Sequence, residues 1–115
     1  MHPITPIIAL AVVTAACSNS TMSVNNACSS SGAAATVSAT DGLVFSPSST
    51  TVTHGQSVCW QNTGAIAHTV TANNGTSFNA NLAGGQTFVQ AFPTAGVFAY
   101  HCNFHAGMTG TITVN

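Results

Sequence analysis

From Ala33 onward, turn-forming residues break the chain at Asp41-Gly42, Ser46-Pro47, His54-Gly55, Asn62-Thr63-Gly64, Asn73-Asn74-Gly75 and Pro93-Thr94-Ala95-Gly96. Breaks at roughly 8 to 12 residue intervals leave room for short strands and are the punctuation of a sandwich or barrel. Between them, apolar and polar residues alternate with the period of two that puts one strand face in a core and the other in water. The pattern predicts strands at 35–40, 43–45, 50–53, 57–61, 67–72, 87–92, 97–102 and 109–114, and no helix. Val58 and Trp60 share one face of their strand and enter the core, which turns Cys59 to the other side. Phe98, Tyr100 and Cys102 share a face in the same way, leaving His101 outward, and Ile112 and Val114 form the core face of the last strand.

A chain of 115 residues holds one such domain. It has no Lys or Arg and a single acid, Asp41, so Ser, Thr, Asn and Gln must keep it soluble. Without a basic patch, the electrostatic term behind nonspecific DNA or RNA affinity is missing, and nucleic-acid binding is set aside. A partner would be found through shape and apolar contact, with an association rate that depends only weakly on salt.

The first residues differ in character. Ile4 to Ala16 is an apolar run of secretory length, too short to span a bilayer, so residues 1–16 read as a signal segment. Ala15-Ala16-Cys17 resembles the end of a bacterial lipoprotein signal, in which the Cys becomes the lipidated first residue. The alternative is an ordinary cleaved signal with Cys17 removed or left as a bystander. A lipid on Cys17 would be the only membrane attachment. Residues 17–34 are rich in Ser and Asn and too poor in apolar surface to order themselves, which makes them a flexible tether to a domain at 35–115.

The chemistry concentrates in Tyr100-His101-Cys102-Asn103-Phe104-His105-Ala106-Gly107-Met108, where a thiol, an imidazole and a thioether recur every third residue. Sulfur of both kinds favours reduced copper, and imidazole suits either valence. Cys plus two His with a weak axial Met is the donor set of blue-copper electron-transfer sites. A second imidazole is therefore needed, and His68 supplies it from the start of the strand after the Asn62-Thr63-Gly64 turn. Read blandly, each of these residues is packing or surface decoration, since buried Cys and Met are common core fillers. His2, His54 and His101 read as solvated bystanders and Trp60 as core. Cys28 and Cys59 either pair in an oxidising compartment or stay free, and their spacing does not decide which.

Phe45-x-Pro47, Val58-Cys59-Trp60-Gln61-Asn62, Ala67-His68-Thr69-Val70, Pro93-Thr94-Ala95-Gly96 and Tyr100-His101-Cys102-x-x-His105-x-x-Met108-x-Gly110-Thr111 stand in the order found in plastocyanin-like cupredoxins. The resemblance spans about residues 35 to 115, and the Cys-x-x-His-x-x-Met loop is most similar to that of amicyanin. It implies an all-β, two-sheet Greek-key β-sandwich with one type 1 copper ion on His68, Cys102, His105 and Met108. It implies a periplasmic or otherwise extracytoplasmic monomer that is not an enzyme and passes single electrons between redox partners docking on an apolar patch around His105. The Thr69 N–H would approach the Cys102 sulfur, and Asn62 would brace the loop before His68. Relatives often carry Pro where this chain has Phe104, Ala106 and Ala67, which implies a softer ligand loop. A copper-buffering or delivery module is the alternative function, and zinc could use the same donors.

Overall fold

The computed structural model describes residues 28–115. The expected signal segment, Cys17 and the tether as far as residue 27 lie outside the described residues. Nine strands follow: β1 (Ala35–Ala39), β2 (Phe45–Ser46), β3 (Ser49–Val52), β4 (Gln56–Asn62), β5 (His68–Ala72), β6 (Asn79–Leu82), β7 (Thr87–Phe92), β8 (Gly96–His101) and β9 (Thr109–Val114). They form a four-stranded sheet in the order β2-β1-β4-β7 and a five-stranded sheet in the order β3-β9-β8-β5-β6. Pairing is antiparallel except at β1–β4 and β3–β9. The chain crosses between sheets at β2–β3, β3–β4, β4–β5, β6–β7 and β7–β8, the interleaving that makes the sandwich a Greek key.

The alternating pattern puts its apolar residues where it should. Val37 and Ala39 of β1, Val58 and Trp60 of β4, Val70 and Ala72 of β5, Tyr100 of β8 and Ile112 and Val114 of β9 share one buried cluster. Trp60 is its centre, with ring centroids 5.4 Å from Tyr100, 5.6 Å from Phe78 and 5.7 Å from Phe88. Phe45 closes the stack edge-on against Tyr100 at 4.8 Å, a geometry aromatic quadrupoles favour. Gly110 is required here, because a Cβ on it would lie 2.4 Å from the Tyr100 hydroxyl.

Two strands depart from the expected pattern. Leu43 takes a left-handed φ of 62°, so the second strand begins at Phe45 and leaves Leu43 and Val44 exposed in the turn. β6 is an addition, since Asn79-Ala80-Asn81-Leu82 has little strand character of its own. It forms because β5 offers an edge, with Val70 opposite Ala80 and His68 opposite Leu82.

Cys59 does face away from the Trp60 core, but it is fully buried, because a disulfide joins it to Cys28. The turn at 28–31 is closed by the Ser31 N–H and hydroxyl on the Cys28 carbonyl. Ala34 then donates to the Ser57 carbonyl, feeding the chain into β1 beside β4. This short segment covers the outer face of β4.

The core also fixes an alkaline limit. The Tyr100 hydroxyl and the Trp60 indole N–H face one another without closing a hydrogen bond of good geometry. Burial pushes the phenol from 10.0 up to about 12, with the Trp60 indole acting the other way. The fold therefore favours the neutral ring. That contribution is complete below the unfolded value and is lost as pH rises through the folded one, a change of roughly 3 kcal/mol. With no lysine and one tyrosine in the chain, little else titrates in that window. Urea unfolding of the protein from about pH 9 to about pH 12 is expected to show a fall in stability that Tyr100→Phe flattens. An equally steep fall in the variant would assign it elsewhere.

Candidate metal centre

Register carries the donors to one end of the sandwich. In the antiparallel β5–β8 pair, Thr71 lies opposite His101, so the start of β5, with His68 and Thr69, meets the end of β8 and Cys102. There the ladder stops being backbone to backbone. The Thr69 N–H donates to the Cys102 sulfur at 3.3 Å, and the Thr69 hydroxyl accepts the Asn103 N–H at 2.7 Å. One threonine thus orients the thiol with its backbone and anchors the following loop with its side chain.

The loop folds back on itself through two backbone bonds. Cys102 N–H donates to the Met108 carbonyl at 3.0 Å, and Met108 N–H to the His105 carbonyl at 3.2 Å. Gly107, with φ 83°, allows the reversal. Met108 is 1 % exposed and belongs to the core cluster with Cys102.

His68, Cys102 and His105 place one donor atom each within 4.8 Å of the others. The Cys102 sulfur lies 3.8 Å from His68 Nδ1 and 3.4 Å from His105 Nδ1, and the two nitrogens are 3.3 Å apart. An ion centred in a triangle, with bonds of about 2.0 Å to nitrogen and 2.3 Å to sulfur, requires edges of about 3.5 and 3.7 Å. The observed triangle fits a first-row metal ion, and one thiolate with two imidazoles is the donor set copper prefers.

The protonation pattern also suits metal binding. His68 Nε2 sits 3.0 Å from the Thr40 carbonyl, which can only accept, so the ring proton stays on Nε2 and the Nδ1 lone pair faces the sulfur. Burial lowers the His68 pKa and His105 pushes the same way, against the Thr40 carbonyl and Asp41. The ring is therefore held neutral. His105 is only half-buried, its edge toward Phe104, which is 58 % exposed.

The segment before His68 is held group by group. Asn62 donates to the Ile66 carbonyl at 2.7 Å and the Leu82 carbonyl at 2.9 Å, and accepts the Gly64 N–H at 2.9 Å. This is the brace anticipated for that residue. His101, read from the sequence as a bystander, is instead pinned between two carboxamide oxygens, Asn73 Oδ1 and Asn103 Oδ1. Strand alternation correctly turned it outward, but alternation cannot see a partner 28 residues away. His54 stays at an exposed turn, its N–H on the Asn115 carbonyl. His2 lies outside the described residues.

Comparison with known proteins agrees with this geometry. Residues 32–115 match the model of the copper binding proteins of the plastocyanin/azurin family. Plastocyanin from Scenedesmus fuscus is 36 % identical over 85 residues, spanning 63 % of this chain and 87 % of that protein. A purple cupredoxin from Nitrosopumilus maritimus superposes with a TM-score of 0.66 at 28 % identity, covering 70 % of this chain and 99 % of that one. An oxidised amicyanin variant gives 0.66 at 25 % identity, covering 73 % and 83 %.

Proposed function

Because the chain belongs to the plastocyanin/azurin family of copper-binding proteins, we propose that it carries single electrons, with copper held by His68, Cys102 and His105 and weakly by Met108. The observation that carries this reading is the triangle of one sulfur and two Nδ1 atoms, with edges of 3.3 to 3.8 Å, already formed in the fold. Copper supplies the chemistry by alternating between its two valences. The protein's part is to keep the donors still, so that a change of charge requires little rearrangement and exchange is fast. Thr69 fixes the sulfur, Thr40 fixes the ring of His68, and the Cys102–Met108 backbone bond fixes the loop.

Half-buried His105 is the electron port in this reading. Exposed Phe104, Ile66 and Leu43 stand on the ligand loop, the loop before His68 and the turn that holds His68, respectively. Together they would give redox partners an uncharged, apolar docking surface. The Cys28–Cys59 disulfide supports an oxidising, extracytoplasmic location, and in this reading the chain acts as a monomer and not as an enzyme. We assign residues 1–16 to a signal, 17–34 to a tether and 35–115 to the domain, with the tether pinned to β4 by the disulfide at Cys28.

Buffering or delivery of copper is less well served, because Cys102, His68 and Met108 are all buried and a delivery site must surrender its ion. Adding Cu(II) to the apoprotein is expected to produce an intense thiolate-to-copper band toward the red end of the visible spectrum, with reversible one-electron cycling. A colourless, irreversibly reduced complex would favour delivery, and a preference for zinc would exclude electron transfer.

A further inference from the structure

Asp41 is the only acid in the chain, and it is spent on a loop. Its Oδ1 accepts the N–H of Ala65 and the N–H of Ile66, each at 3.0 Å. These residues lie just ahead of His68. The preceding residue, Thr40, holds His68 directly through its carbonyl on Nε2. One turn thus grips the imidazole twice, once at the ring and once through the backbone that leads into it. We propose that Asp41 is the positioning residue for His68, setting the ring's place in the donor triangle by fixing the 64–66 loop.

Three further observations fit this role. Gly64 has no room for a side chain, since a Cβ there would lie 2.0 Å from Asp41 Oδ1. On the loop's other side, a Cβ on Gly84 would come within 2.8 Å of the Gly64 carbonyl, so that flank approaches at backbone distance and the Asp41 carboxylate closes the first. Neighbouring groups of the loop have other partners, Thr63 N–H on the Ala39 carbonyl, and Gly64 N–H and the Ile66 carbonyl on Asn62. The Ala65 and Ile66 N–H groups have Asp41. Removing it leaves two donors without their acceptor beside a buried ring, and the loop must move to rehydrate them.

The inference rests on His68 being a metal ligand, and the test separates the two. In apo Asp41→Ala, nitrogen NMR is expected to show His68 leaving its single Nε2–H tautomer for a mixture, with faster amide exchange at Ala65 and Ile66. Copper affinity should fall about tenfold to hundredfold, the usual loss when a ligand's supporting bond is removed. Asp41→Asn keeps an acceptor oxygen at the same place and should restore most of both, because geometry rather than charge is claimed. Should Asp41→Ala not fold, Asp41→Asn with native tautomer and affinity, set against a Gly64→Ala variant that loses both, supports the claim. The proposal is overturned if Asp41→Ala keeps the native tautomer and affinity, if it loses only thermal stability, or if Asp41→Asn is as defective as Ala. His68→Ala serves as the control. If it retains the native copper spectrum, the ligand assignment itself fails, whereas loss there with a native Asp41→Ala spectrum sinks only the positioning role.

Discussion

Cys102→Ser is expected to abolish the thiolate-to-copper band entirely while the sandwich stays folded. Cys102 is 4 % exposed, and its sulfur receives the Thr69 N–H and sits 3.4 and 3.8 Å from the two imidazole nitrogens. A hydroxyl of similar size can take the Thr69 hydrogen bond, so folding loses little. What it lacks is a soft, easily deprotonated donor, and with it the covalency that gives both the colour and the electron route. Visible absorption and circular dichroism of the copper-titrated variant check the two halves of the expectation. A surviving intense band would mean that another residue supplies the sulfur. In parallel, Met108 replaced by Leu should leave copper bound and shift both the band and the potential, as a weak axial donor would.

The second large effect is on stability. Replacing Cys28 and Cys59 together by Ala is expected to cost about 3 to 4 kcal/mol, the loop-closure value for a bridge over 31 residues. Both sulfurs are buried, so the alanines also leave a small apolar gap against the outer face of β4, which adds to the loss. Urea denaturation of the copper-free variant measures the change, and the visible spectrum of the copper form should be unaltered. A loss below about 1 kcal/mol would show that the unfolded chain gains little from being freed.

How far the sequence disclosed this protein depends on the range of each interaction. Alternation is local, so it located most of the strands, the Trp60 and Tyr100 core and the inward turn of Cys102. Spacing is local too, and Cys102, His105 and Met108 on one loop announced a metal before any fold was known. His68 needed the resemblance to support it, and the structure brings it to the loop through the β5–β8 register. What remained hidden was long-range or contrary to propensity. β6 contains two asparagines and exists because β5 would otherwise have a bare edge. Leu43 gives no hint of a left-handed backbone. The Asp41 contacts with Ala65 and Ile66 span 24 and 25 residues, and no periodicity reports a hydrogen bond of that reach. Cys28 sat in a stretch whose composition promised flexibility, yet one covalent bond overrules composition.

That bond also decides how the molecule answers to force. A pull on the chain ahead of Cys28 does not peel β1 from its sheet, because the tension passes through sulfur into the middle of β4 and bypasses β1. β4 is an interior strand, flanked by β1 and β7, so the load is met in shear by two ladders at once. A sandwich secured this way can be tugged by its leading end while the donors, carried by β5 and the loop after β8 in the other sheet, stay outside the loaded ladders.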